Sequence, residues 1–179
     1  MACRRIAVFC GSKSGLNGAY TTDARELGYL MARHQIALVY GGGNKGLMGT
    51  IADAVMESHG EVIGVIPEIL LNWEHQHEGI TDLRIVADMH VRKKMMYELS
   101  YAAIVLPGGN GTLDELFEML TWNTLQIHNK KIVLLNSGGY YDHLIAHVEK
   151  MAAENFLYED WKSRLIVCNT AEAAIAALV

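Results

Sequence analysis

Residues 106–115 read Leu-Pro-Gly-Gly-Asn-Gly-Thr-Leu-Asp-Glu, a glycine-rich turn that runs into a carboxylate. Where a strand ends in such a turn and a helix begins near Gly111-Thr112, first-turn N–H groups and the Thr112 hydroxyl can grip a phosphate. Gly108, Gly109, Asn110, Gly111 and Thr112 are therefore candidate phosphate contacts. Glu115 follows about one turn into the predicted helix, and two roles fit it. Thr112 to Glu115 has the T-x-x-E spacing of a capping box, or the carboxylate faces the bound ligand. A second charged candidate is Arg92, in the run Arg92-Lys93-Lys94. Its guanidinium stays charged and offers a planar fork of donors; the competing role is a solvated helix charge. Lys93 and Lys94 cannot point the same way as Arg92 on a helix, and Lys94 is assigned to solvent.

Two further turns share this chemistry. Gly11-Ser12-Lys13-Ser14-Gly15 supplies Gly11 and Ser12, and Gly41-Gly42-Gly43-Asn44-Lys45-Gly46 supplies Gly42 and Gly43. Glycine lets the backbone approach a ligand closely, and a helix start attracts an anion. Three such turns at strand ends favour a phosphate-bearing ligand. The second turn also satisfies G-x-G-x-x-G, with Glu68 at about the distance of a ribose-binding acid, which keeps a dinucleotide-dependent oxidoreductase open. That motif follows the second strand rather than the first, and Glu68 lies beyond Pro67. A Walker A loop is excluded because Leu47-Met48 follows Gly46.

The elements that must position these turns alternate along the chain. Unbroken apolar runs predict strands over 6–10, 36–40, 62–66, 83–87, 103–106 and 132–135. Helical patterns fall over 19–33, 47–58, 92–100, 113–125, 142–154 and from Ala171 onward. Strands without polar alternation are covered on both faces. The expected fold is therefore α/β, a Rossmann-like doubly wound parallel sheet with helices on both faces, and residues 1–179 form one domain. The stretch Leu70 to Asp82 fits no period and reads as a functional loop.

Composition narrows the function classes. The 179 residues are 51% hydrophobic and 20% charged, as in globular proteins. A net charge of −5 argues against a nucleic-acid polymer as partner. No apolar run reaches the length of a membrane span or of a signal peptide's core, so the expectation is a soluble, cytoplasmic protein with no membrane partner. Cys3, Cys10 and Cys168 lack metal-ligand spacing and read as reduced thiols. His75-x-His77 and His143-x-x-x-His147 have metal-like spacing without a third ligand nearby, so no metal is expected. Met89, Met95, Met96 and Met119 read as core or subunit-contact residues, and Trp122 as a packing residue or a wall of a base pocket.

On these residues the sequence resembles the LOG ("lonely guy") family of cytokinin riboside 5′-monophosphate phosphoribohydrolases, many relatives of which are mislabelled lysine decarboxylases. Pro107-Gly108-Gly109-x-Gly111-Thr112-x-x-Glu115 is similar to its P-G-G-x-G-T-x-x-E signature, and Met89-x-x-Arg92-Lys93 to its M-x-x-R-K segment. Gly41-Gly42-Gly43 with Gly46-Leu47-Met48-Gly49, and Phe9-Cys10-Gly11-Ser12, resemble its first two strand ends. The resemblance covers nearly the whole chain. It implies hydrolysis of a purine nucleoside 5′-monophosphate to free base and ribose 5-phosphate, by a homodimer with sites near the subunit boundary and without a cofactor. It carries the catalytic roles onto Arg92 and Glu115, and ligand contacts onto Lys93, Gly109 to Thr112, Glu74 and Thr121. Asn110 replaces the Tyr usual in plant members, and the loop around Glu74 differs from theirs, which leaves open AMP against N6-modified, cytokinin-type bases.

That chemistry suits the residues. As the base leaves, positive charge grows on the ribose, and a carboxylate stabilises it or activates the attacking water. Lysine decarboxylation would need pyridoxal phosphate on a lysine, and nothing singles one out. A nucleotide-binding module without catalysis stays open beside the hydrolase and the oxidoreductase.

Overall fold

The computed structural model describes residues 4–71 and 76–179. Strands β1 (Arg4–Phe9), β2 (Ile36–Tyr40), β3 (Val62–Pro67), β4 (Asp82–Val86), β5 (Ala102–Val105), β6 (Lys131–Leu135) and β7 (Leu165–Cys168) form one sheet in the order β4-β3-β2-β1-β5-β6-β7. All of its pairings are parallel, with Ala7 opposite Val39 and Phe9 opposite Val105. The chain winds outward from β1 in one direction, then returns to β5 and winds in the other. The crevice between the carboxyl ends of β1 and β5 is therefore the switch point at which such sheets bind ligands.

Helices α1 (Gly18–Arg33), α2 (Gly46–Glu57), α3 (Met89–Leu99), α4 (Asn110–Thr124), α5 (Asp142–Ala153) and α6 (Ala171–Ala176) cover the two faces. Successive residues of a strand point to opposite faces, and β1 shows the result. Ile6 and Val8 join a core with Leu27 and Met31 of α1, Ile51 and Val55 of α2 and Ile175 of α6. Ala7 and Phe9 join another with Met96 and Tyr97 of α3, Leu116 and Met119 of α4, and Ile145 of α5 at its edge. The doubly wound α/β layer expected from the sequence is the fold. No helix of the described residues is long and apolar enough to cross a membrane.

Three elements differ from expectation. Strand β7 was not expected; Leu165-Ile166-Val167-Cys168 is a short apolar run that gains its identity only by pairing with β6, Ile132 opposite Leu165. Helix α3 begins three residues early because the Asp88 carboxylate accepts from His90 N (2.8 Å) and Val91 N (2.9 Å). Helix α4 likewise begins at Asn110, with Gly109 as its N-cap, and this alters the reading of Glu115.

Candidate active site

The turns after β1, β2 and β5 interlock. Gly11 N donates to Pro107 O (3.0 Å), and Leu47 N donates to Gly11 O (3.1 Å). Gly46 has φ +58°, and a β-carbon there would stand 2.4 Å from Lys13 N, so the second turn can lie against the first only as glycine. Gly11, Ser12, Lys13, Ser14, Gly108 and Gly109 line a cleft of about 410 Å³ at the β1–β5 switch point, walled by Tyr20, Leu47 and Tyr140. Tyr140 donates its hydroxyl to Gly108 O (2.6 Å) and meets Tyr20 edge-on at 5.4 Å. Helix α4 points its N-terminus into this corner, and its N-cap, Gly109, makes no side-chain capping bond. First-turn N–H groups and the positive end of a 15-residue helix therefore meet the cleft, an anion site of the kind expected.

Arg92 is 7% exposed, which rules out a solvated helix charge. It crosses from α3 to the strand ends, where Nε donates to Val65 O (3.1 Å) and an Nη donates to Gly41 O (3.3 Å). Two carbonyls at the carboxyl ends of neighbouring strands thus fix the plane of the guanidinium.

Glu115 is also 7% exposed. A capping box needs Thr112 at the N-cap, but Thr112 is the third helical residue and is itself buried. The capping role falls, and a buried carboxylate on the inner side of α4 stands in its place. Helices α3 and α4 meet through Lys93, whose ammonium lies 3.0 Å from Asp114 Oδ2 and 3.1 Å from Glu118 Oε1. Tyr97 donates to Glu118 Oε2 (2.7 Å), with its hydroxyl also 3.4 Å from Glu115 O. Burial opposes the Lys93 charge, but the two carboxylates outweigh it and hold its pKa above the usual lysine value. Burial and then the Glu118 carboxylate push the Tyr97 phenol well above its ordinary range.

The other expected residues are dispersed. Lys94 projects to solvent beside Glu98. Gly42 and Gly43 are buried behind the cleft, where Gly42 O accepts from His77 N (3.0 Å) and Gly43 bridges Gln76. Thr121 is exposed, its hydroxyl bonded to Phe117 O (2.7 Å); six residues from Glu115, it lies about 240° round the helix, on the outer side. Glu74 and His75 lie outside the described residues. His77 is engaged by Asp53 Oδ1 at 3.0 Å and by Gly79 N at 3.1 Å. Met96 and Met119 are core residues, whereas Met89 is 37% exposed. Trp122 packs edge-on against Tyr97 at 4.9 Å. Sequence reasoning missed Tyr97, Asp114, Glu118 and Tyr140. Asp114 and Glu118 flank Glu115 at helical spacing and could have been read as partners of Lys93; Tyr140 carried no local signal.

The dinucleotide reading loses its turn. Gly46 is filled by the Ser12-Lys13 backbone, Gly42 and Gly43 by Gln76 and His77, and Glu68 sits exposed in a 3-10 turn, Glu68–Leu70, beyond β3. Among the described residues, the glycines of this turn are engaged by these neighbours rather than presented to a pyrophosphate.

Comparison with known proteins agrees with this geometry. Residues 48–178 match the family model described as "Possible lysine decarboxylase". A cytokinin riboside 5′-monophosphate phosphoribohydrolase of Rhodococcoides fascians is 47% identical over 176 residues, 98% of this chain and 89% of that protein. One from Arabidopsis thaliana is 43% identical over 175 residues, covering 98% and 81%. Among solved structures, the molybdenum cofactor binding protein of Rippkaea orientalis superposes with a TM-score of 0.75 over 99% of this chain and 96% of that one, at 20% identity, a likeness of fold alone. With the P-G-G-x-G-T-x-x-E turn, the buried Arg92 and Glu115 and this degree of identity together, the chain belongs to the LOG family, that of the cytokinin riboside 5′-monophosphate phosphoribohydrolases.

Proposed function

We propose that this protein hydrolyses the N-glycosidic bond of purine nucleoside 5′-monophosphates, AMP and N6-modified, cytokinin-type nucleotides, to free base and ribose 5-phosphate. The observation that carries the reading is the burial of one arginine and one glutamate, Arg92 on α3 and Glu115 on α4, the helix whose N-cap Gly109 lines the glycine-rich cleft at the sheet's switch point. In the reaction water oxygen bonds to C1′ as the C1′–N9 bond breaks. The bonding pair leaves with the purine, which takes up a proton. Glu115 stabilises the cationic ribose or takes the proton from the attacking water. Arg92, fixed by Val65 O and Gly41 O, orients the phosphate or the departing base. Gly11, Ser12 and Gly108 to Thr112 hold the 5′-phosphate through backbone N–H groups and hydroxyls.

The phosphate assignment is tested with AMP against adenosine. Two glycine turns devoted to phosphate, after β1 and β5, predict a far higher kcat/KM for AMP, and equal values would remove the assignment. A panel of N6-substituted monophosphates then ranks the bases.

We further infer a homodimer. The outer side of α4 and the neighbouring α5 leave an apolar groove that includes Phe117, Leu120, Leu125, Phe156 and Tyr158, with Phe156 75% and Tyr158 93% exposed. A second copy would cover it. Thr121, on this outer side, would then reach a ligand only across the subunit boundary. Light scattering should give about twice the 19.8 kDa chain mass; a fully active monomer would contradict the assembly. Among the described residues, Cys10 and Cys168 are buried and form no disulfide, in keeping with a cytoplasmic location.

A further inference from the structure

The glycine turn between β5 and α4 carries three successive carbonyls, and each has its own donor. Leu106 O accepts from the Tyr141 hydroxyl (2.7 Å), Pro107 O from Gly11 N (3.0 Å) and Gly108 O from the Tyr140 hydroxyl (2.6 Å). Two adjacent tyrosines thus grip alternate carbonyls of one turn. Strand β6 pairs with β5, so the turn after β6, which carries both tyrosines, lies beside the turn after β5. It is itself fixed: Gly138 and Gly139 take φ +55° and +75°. The Asn136 side chain also accepts from Tyr141 N (2.7 Å) and donates to Asp142 Oδ1 (2.7 Å). Tyr141 is 2% exposed, whereas Tyr140 is 42% exposed and walls the cleft. The Tyr140 ring stands edge-on to Tyr20 (5.4 Å) and to Tyr141 (4.8 Å).

The two tyrosine bonds differ in what they hold. In a trans peptide the carbonyl and the following N–H point in opposite directions, so fixing one fixes the other. Beyond Leu106 O stands Pro107, which has no N–H. Beyond Gly108 O stands the N–H of Gly109, the N-cap of α4. The Gly108–Gly109 peptide has no β-carbon on either side, so it turns over easily. Turned over, it would aim a carbonyl oxygen where an anion needs a donor. Glycine is nonetheless required at 108, since a β-carbon there would stand 2.1 Å from Thr112 Oγ1. Resting on the hydrolase reading above, we propose that Tyr140 is a positioning residue for the 5′-phosphate. Its hydroxyl holds the Gly108 carbonyl to the wall of the cleft and so presents the Gly109 N–H to the phosphate. The Tyr141 bond braces the turn and presents no donor.

The test is binding and kinetics of Tyr140→Phe, Tyr141→Phe, Gly109→Ala and the Tyr140→Phe/Gly109→Ala double variant, with ribose 5-phosphate, AMP and adenosine. Tyr140→Phe keeps the ring against Tyr20 and Tyr141 and removes only the hydroxyl. It should weaken ribose 5-phosphate binding, measured by calorimetry, and raise KM for AMP. Each change should be about 3- to 10-fold, the scale of one ordinary hydrogen bond, with kcat/KM for adenosine unchanged. Tyr141→Phe should lower the melting temperature and leave the preference for AMP over adenosine at its wild-type value. The double variant separates positioning from contact. Turning the peptide over gives residue 109 a positive φ in place of its −94°, which alanine resists. Gly109→Ala should therefore recover part of the Tyr140→Phe loss, so that the double variant loses less than the product of the single losses. Losses that simply multiply would mean that the hydroxyl meets the phosphate itself, and that result overturns the positioning role. So does unaltered ribose 5-phosphate affinity in Tyr140→Phe, or an equal loss with adenosine. Wild type that releases no base from AMP, with ribose 5-phosphate binding still weakened in Tyr140→Phe, would remove the hydrolase reading alone. Active wild type with an indifferent Tyr140→Phe would remove the positioning role alone.

Discussion

Gly108 lies so close to Thr112 that a β-carbon on it would stand 2.1 Å from Thr112 Oγ1 and 2.9 Å from Gly11 N. The turn after β5 is thus pressed between the first turn of α4 and the turn after β1. Gly108→Ala cannot be absorbed by a flexible side chain, because one obstacle is backbone and the other a buried threonine. It should lower stability by about 1–3 kcal/mol, as overpacking does, and raise KM for AMP by spreading the phosphate corner. Gly109→Ala is the control for stability alone, since a β-carbon there meets no protein atom within 4 Å. Thermal melts of the pair, with KM for Gly108→Ala, check the relationship.

Arg92 bonds two carbonyls that water cannot easily reach. Arg92→Ala leaves Val65 O and Gly41 O short of their donors. Buried groups left in this way cost about 1–3 kcal/mol, so both stability and turnover should fall. Arg92→Lys keeps the charge but not the planar fork. It should remain stable within about 1 kcal/mol of wild type while losing at least about tenfold in kcat. Urea denaturation and initial rates on the two variants separate charge from geometry.

Alkaline stability reports the contact of α3 with α4 through Lys93 and Tyr97 without reference to activity. Burial and the Glu118 carboxylate raise the folded pKa of the Tyr97 phenol above the ordinary tyrosine value, and, although burial opposes it, the Asp114 and Glu118 carboxylates raise that of Lys93 above the ordinary lysine value. A raised pKa means that the unfolded chain loses its proton first. The contribution is complete below about pH 10 and is lost as pH rises beyond it. Urea midpoints should hold steady to about pH 9.5 and then fall. Tyr97→Phe should flatten that fall by about 1.4 kcal/mol per pH unit. Tyr141, also raised by burial, leaves a residual slope of the same sign. An identical slope in the variant would contradict the Tyr97 environment described here.

Much of the fold was legible because its strands are buried on both faces and read as unbroken apolar runs. Strand β7 was not, since a four-residue run at a sheet edge is defined by its neighbour rather than by its own pattern. The glycine turns were legible as turns. Their division of labour was not: Gly42 and Gly43 serve the Gln76–His77 segment, a long-range contact that carries no periodic signal. For Glu115 the local T-x-x-E pattern pointed to a cap. Only the start of α4 at Asn110, one turn earlier than periodicity suggested, separates the two roles.

The most direct measurement follows from that separation. Glu115→Gln keeps the side-chain length and removes the carboxylate charge that a cationic ribose requires. Wild type and Glu115→Gln are incubated with AMP, and adenine and ribose 5-phosphate are quantified by chromatography beside AMP binding and melting temperature. Wild type should release both products in equal amounts. The variant should bind AMP and melt near wild type while kcat falls by about 10²- to 10⁴-fold, the scale for a lost base or charge-stabilising group. Undiminished release of adenine by Glu115→Gln would contradict the central role given to this carboxylate.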